Sequence, residues 1–127
     1  MPHAEGWIEA YELLDKSLPI PQKLKEKILG NKNGIGETML HWYSIEGETR
    51  VVEKIIELGF DVNTQNKFKA TPLFDCVQIE RWDIVELLLK HGARTNIKNN
   101  NDEDVWAHLE YMKETENIKK LRDLTKK

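Results

Sequence analysis

The side chains that could hold a metal or attack a substrate are few: four histidines, His3, His41, His91 and His108, and one cysteine, Cys76. Ligands or nucleophiles work in sets, and sets leave recognisable spacings such as C-x-x-C or H-E-x-x-H. Neither occurs in this sequence. The glycines of Gly34-Ile35-Gly36 are too few and too isolated to cradle a phosphate ahead of a helix. The plain reading of Cys76 is a small buried hydrophobe rather than a reactive thiol. His91 falls at a helix C-terminus, where a cation would meet the negative end of the dipole, and His3 belongs to a loose chain end. No enzyme, no metal and no cofactor is expected.

What the sequence does contain is a repeat. Moving the stretch 70–96 back by 33 residues places Thr71 on Thr38, Leu73 on Leu40, Val85 on Val52, Gly92 on Gly59 and Asn96 on Asn63. Moving it forward by the same step places Asp104 on Thr71, Trp106 on Leu73 and Ile118 on Val85. There are two clear copies and a worn third. A fixed period of this length marks a stacked-repeat protein, in which one helical hairpin cannot bury its apolar face alone.

Each copy carries the same local signals. Thr38, Thr71 and Asp104 are side chains that can accept an orphan backbone N–H at a helix start, and Pro72 suits the first helical position. Helices are therefore expected at 39–46, 72–80 and 105–113, each followed by a second at 49–58, 83–91 and 116–125. Gly59 and Gly92 stand just past the second helices, where a left-handed residue ends the helix cheaply. The third copy has Thr125 there, and the polar run Lys119, Lys120, Arg122 and Asp123 suggests a frayed end with water outside. Ahead of the repeats, Trp7, Ile8, Tyr11 and Leu14 fall at helical spacing over 5–17. Pro19 and Pro21 end that helix, and a second should run from Gln22 to Gly30 on Leu24, Ile28 and Leu29. This pair does not align with the repeat and is read as a cap.

With T-M-L-H at residues 38–41, T-P-L-F at 71–74, the two glycines and D-V-N at 61–63, the chain resembles an ankyrin-repeat protein, most clearly between residues 33 and 100. The resemblance implies an all-α solenoid of stacked helix-turn-helix units with short β-hairpin fingers, capped at both ends. Its parts would be an N-terminal cap over 1–30, repeats over 31–66 and 67–99, and a degenerate repeat with C-terminal cap over 100–127. Asn33, Asn66 and Asn99, one period apart, mark the fingers. It implies that His41 hydrogen-bonds backbone in the neighbouring loops, and that Cys76 fills a small slot. Trp106 would be core and Trp82 would lie in a turn. Lys69 stands where the family pattern has glycine, so the second finger should deviate.

The resemblance also implies where a partner docks, namely the finger tips and the exposed face of each first helix. Those positions are Ile35, Glu37, Trp42, Ile45 and Glu46 in the first repeat. The second offers Lys67, Phe68, Ala70, Asp75, Gln78 and Ile79, and the third Asn100, Asn101, Glu103, His108, Tyr111 and Met112. Any one of these is ordinarily a solvated side chain. Together they place Ile35, Phe68 and Ile79 where a monomer should be polar, and Trp42, Phe68 and Tyr111 are of the type that anchors interfaces. Carboxylates outnumber the one lysine, so the groove should draw a basic partner.

Composition narrows the classes. A chain of 127 residues, 39% hydrophobic, has room for one domain and one small core. Its net charge of −3 disfavours nucleic acid or an anionic membrane as partner. No apolar run approaches the ~20 residues that span a bilayer. The start MPHAEGW has neither the cationic end nor the apolar run of a secretion signal, so a reducing cytoplasm is expected. The expected function is non-enzymatic protein binding by a chain that stays monomeric until bound. Small ankyrin arrays are similar to some bacterial immunity proteins, which makes the specific expectation an antitoxin that blocks a basic toxin such as a nuclease. The alternative is an adaptor that bridges proteins or assembles with itself.

Overall fold

The computed structural model describes residues 3–126; Met1, Pro2 and Lys127, part of the ends expected to be loose, lie outside the described residues. Among the described residues eight helices follow one another, α1 (Trp7–Asp15), α2 (Gln22–Gly30), α3 (Met39–Glu46), α4 (Thr49–Glu57), α5 (Pro72–Gln78), α6 (Trp82–Lys90), α7 (Val105–Tyr111) and α8 (Thr115–Thr125). Helices α3 and α4, α5 and α6, and α7 and α8 form hairpins, with α3 against α5 in one row and α4, α6 and α8 in a second. The array is an all-α repeat solenoid.

The helix starts follow from the caps. Thr38 Oγ1 accepts from His41 N at 3.4 Å, Thr71 Oγ1 from Phe74 N at 3.2 Å and Asp104 Oδ1 from Ala107 N at 2.9 Å. Each satisfies one of the donors that a helix end leaves over. Gly59 and Gly92 take positive φ of 106° and 94°, as a left-handed stop requires.

The core runs the length of the stack. Leu40, Leu73, Ile55, Ile84 and Leu88 are sealed between hairpins, and Trp7, Ala10 and Ile28 close the N-terminal end. Helix α1 lies beside α4, where Arg50 bonds the Asp15 carboxylate at 2.6 Å and Lys54 donates to the Leu14 carbonyl at 2.9 Å. Of the stripe expected on α1, Ile8 is exposed, and Ala10 takes the core place instead. At the far end only Leu121 of α8 is buried. Trp106 is half-covered rather than core, and Val105 and Leu109 fill the interior beside it.

Two local expectations are corrected. Trp82 opens α6 instead of sitting in a turn, with the Lys120 ammonium 5.4 Å from its ring centroid. His3 is not loose, for its ring packs edge-on against Trp42 at 4.9 Å. The third copy's last helix runs through Thr125, as its expected span has it, with Lys119, Lys120, Arg122 and Asp123 exposed on its outer side.

No β-strand forms among the described residues, and the fingers are tight turns. Their cause is the recurring asparagine. Asn66 Oδ1 accepts from Phe68 N at 2.9 Å and Ala70 N at 3.1 Å, and Asn99 does the same for Asn101 N at 2.9 Å and Glu103 N at 3.1 Å. Asn33 likewise receives Ile35 N and Glu37 N. These side chains take the N–H groups that a β-ladder would need. Single backbone bonds then link neighbouring fingers, Lys67 N to Ile35 O at 3.0 Å and Asn100 N to Phe68 O at 2.9 Å. Lys69 does not distort its finger. It adopts φ 60°, beside 77° for Gly36 and 59° for Asp102 at the matching positions, so the turn keeps its shape and the lysine carries the strain.

Candidate functional site

The turns and the first helices present the residues that the sequence marks for docking. Phe68 stands on the second finger and is 53% exposed, and Asn100 and Asn101 stand exposed on the third. Ile79 caps the C-terminal end of α5, and Tyr111 and Met112 end α7, with Tyr111 78% exposed. Exposed aromatic and branched side chains at three element ends are costly for a free surface and useful in an interface. Ile35, Lys67, Glu46 and Gln78 are also solvent-facing.

Between the second and third fingers these elements enclose a cleft of about 380 Å³. Phe68, Asp75, Gln78, Asn100 and Asn101 line it, together with Phe74 and the buried Ala70 at its floor. The Asn100 amide donates to the Lys67 carbonyl at 3.1 Å, which fixes one finger on the other. The cleft therefore has a rigid polar rim and an aromatic floor, a combination suited to an inserted side chain.

Other positions are placed differently from the expectation. Glu37 is buried, since Asn33 Nδ2 donates to its carboxylate at 2.9 Å and draws it inward under the finger; it does not face a groove. Trp42 and Ile45 are half-buried, Trp42 because His3 covers it. Glu103 and His108 pair with each other at 3.3 Å, and the His108 ring lies 5.3 Å from Phe74. His41 does not bond loop backbone. Its Nε2 meets Asp75 Oδ2 at 2.8 Å, a side chain of the next repeat. The exposed acidic charge of the face is thus smaller than the sequence suggests, with Glu46 the carboxylate that stands free of these pairings.

Cys76 is fully buried, and burial, with the Asp75 carboxylate adding to it, pushes its thiol up to about 12. It has no thiolate to offer as a nucleophile near neutrality. The Tyr43 hydroxyl is likewise pushed up to about 12, chiefly by burial.

A larger cleft, about 660 Å³, opens elsewhere, between α6 and α8. Leu89, Ala93, Asn96 and Leu124 line it. The sequence held its signal. At the place where the first repeat sets the buried Phe60, the second has Ala93 and the third an exposed Lys126, so buried apolar volume is lost at each step. Asn63 bonds the Gly92 carbonyl at 3.2 Å and the Arg94 N–H at 2.8 Å, which holds one outer loop on the next.

No helix among the described residues is long and apolar enough to cross a membrane. Comparison with known proteins agrees with the repeat. Residues 11–99 match the family model for ankyrin repeats in three copies, beginning inside α1 and ending before α7. The chain is 34% identical over 73 residues to the human transient receptor potential cation channel subfamily A member 1, covering 58% of this chain and 6% of that protein. It is 34% identical over 83 residues to human 2-5A-dependent ribonuclease, covering 64% of this chain and 11% of the other. A putative ankyrin repeat protein of Rickettsia felis is 29% identical over 83 residues, 65% of this chain and 21% of that one. The chain thus spans a small part of the relatives it matches, and the part they share is the repeat array. On the match across residues 11–99 and the stacked hairpins that fill it, the chain belongs to the ankyrin-repeat family, whose arrays are protein-protein interaction modules.

Proposed function

We propose that the chain binds one protein partner across the finger tips and the cleft between the second and third fingers, and that it acts by covering that partner's surface. The observation that carries this is the exposure of Phe68 beside the cleft, with Tyr111 and Met112 exposed on the next repeat. Large apolar side chains held by a rigid fold anchor interfaces because little entropy is lost when they are covered. The partner is basic or neutral, since the chain carries a net −3 and its outward groove carboxylate Glu46 faces solvent. The specific role is that of an immunity protein, an antitoxin that occupies the working surface of a basic toxin. Blocking needs only a complementary face, and the described residues offer that face without a reactive group.

Co-expression with the product of the adjacent reading frame, followed by size-exclusion chromatography, tests the reading. The expected result is a monomer alone and a one-to-one complex with the partner. Phe68→Asp should weaken that complex at least thirtyfold, a loss of about 2 kcal/mol for a central anchor. A complex as tight as the parent's in Phe68→Asp would move the interface elsewhere, and dimers of the chain alone would favour the self-assembling alternative.

A further inference from the structure

We infer that Glu37, His41 and Asp75 form a binding site for a divalent transition-metal ion, which staples the first repeat to the second. One carboxylate oxygen from each acid and one imidazole nitrogen lie within 4.8 Å of one another. Two of the three donors are withdrawn from solvent: His41 is fully buried and Glu37 nearly so. Asp75 is partly exposed and lines the cleft between the second and third fingers, which gives an ion a way in.

Charge is the first reason to place a cation there. Two carboxylates beside one imidazole carry two negative charges when the ring is neutral. Among the described residues neither Glu37 nor Asp75 has an ion pair with lysine or arginine. Burying like charges without a counter-ion is costly, and a metal ion inverts that cost. The second reason is the ring itself. His41 Nδ1 is buried and has no hydrogen-bond partner, so the Asp75 carboxylate at Nε2 alone sets where the proton of the neutral ring sits. When an ion binds Nε2, it takes the place of the proton that joins Nε2 to Asp75, and the ring carries its proton at Nδ1, where no bond is broken but the buried N–H gains no acceptor.

Geometry and chemistry select the ion. Donors about 2.0 to 2.2 Å from a shared zinc sit about 3.3 Å apart, so the 2.8 Å contact between His41 and Asp75 opens by about half an ångström. Imidazole with two carboxylates suits zinc and its first-row neighbours, while an all-oxygen preference excludes magnesium. Spacing in the sequence conceals the site, because His41 and Asp75 are 34 residues apart.

The test is titration of the chelator-treated, full-length protein with zinc, with magnesium as control, read by calorimetry and by thermal melting. One equivalent of zinc should bind and raise the melting temperature, and magnesium should do neither. Asp75→Asn leaves an amide oxygen to accept from His41, so the fold is kept while the charge is lost. It should weaken zinc binding at least tenfold, as should Glu37→Gln. His91→Gln and His108→Gln should bind as the parent does. No heat up to millimolar zinc, or binding unchanged in Asp75→Asn, or binding abolished by His91→Gln or His108→Gln, would overturn the assignment.

Discussion

The contact between the first and second repeats and the contact between the second and third use the same two positions with opposite chemistry. At the first junction His41 meets Asp75, a buried ring donating to a carboxylate at 2.8 Å. One repeat later the corresponding residues are Phe74 and His108, ring against ring at 5.3 Å. The backbone frame is the same in both, since each first residue sits three past a helix cap. A polar pair is directional and fixes register, whereas an aromatic contact is worth its buried area in many orientations. The difference teaches that the stack is tightly indexed near its N-terminal cap and held mainly by apolar burial toward α8.

The largest test breaks the apolar junction. Phe74→Ala removes a ring that is 4% exposed, and should cost about 3 to 5 kcal/mol in denaturant unfolding. Amide exchange should show α7 and α8 losing protection before α3 and α4 do. Equal loss along the whole chain would mean that the two junctions unfold as one unit and that the contrast between them is only chemical.

Alkaline pH sharpens the comparison from a neighbouring position. Tyr43, Cys76 and Leu109 occupy one slot in the three repeats and are all buried. The Tyr43 and Cys76 groups are both pushed up to about 12, from ordinary values of 10.0 and 9.0. The folded state therefore keeps two protons that the unfolded chain releases first. Their contribution is fully present below pH 9 for the thiol and pH 10 for the phenol, and is lost as pH rises through about 12. Stability should fall across that window, and Tyr43→Phe with Cys76→Ala should flatten the fall. The third repeat, with Leu109, adds nothing to it.

Asp75→Ala tests the polar junction alone. It leaves His41 Nε2 buried without its partner and should cost about 1 to 3 kcal/mol, while Asp75→Asn, which keeps an acceptor oxygen, should cost less. If the two variants unfold alike, the hydrogen bond is not what holds the junction.

The two junctions also show how far sequence reading reached. Thr38, Thr71 and Asp104 were legible as helix starts because a cap is decided within four residues of chain, and the repeat period follows from the same positions. The His41 contact was not legible. Its partner stands in the next repeat, at a position that elsewhere holds tryptophan or histidine, and only packing shows which side chain reaches the ring. Glu37 was misplaced for a related reason, because the Asn33 amide pulls it inward and nothing in the pattern of carboxylates records that. The apolar docking residues fared better at the level of exposure: Phe68, Ile79, Tyr111 and Met112 are all solvent-facing. The fingers became turns rather than strands through the asparagine side chains, whose spacing was visible and whose capture of the N–H groups was not.

The smallest effect distinguishes the fingers that carry the two junctions. Gly36 and Lys69 hold the same left-handed place, but a Cβ on Gly36 would meet the Lys67 backbone nitrogen at 2.9 Å. At that position the first finger therefore has two reasons for glycine, the positive φ and the close approach of the next finger. The second finger tolerates a side chain there and carries only the cost of the left-handed backbone. Lys69→Gly should stabilise the protein by up to about 1 kcal/mol, the left-handed penalty of 1 to 2 kcal/mol less the entropy that glycine adds to the unfolded chain. Gly36→Ala should destabilise it by more than that, since the clash with the Lys67 nitrogen adds to the same penalty. Measured in one denaturation series, equal and opposite shifts would mean that the close approach costs nothing and that φ alone sets the choice of residue. A larger loss at Gly36 would show that the first junction is packed more closely through its fingers as well as through His41.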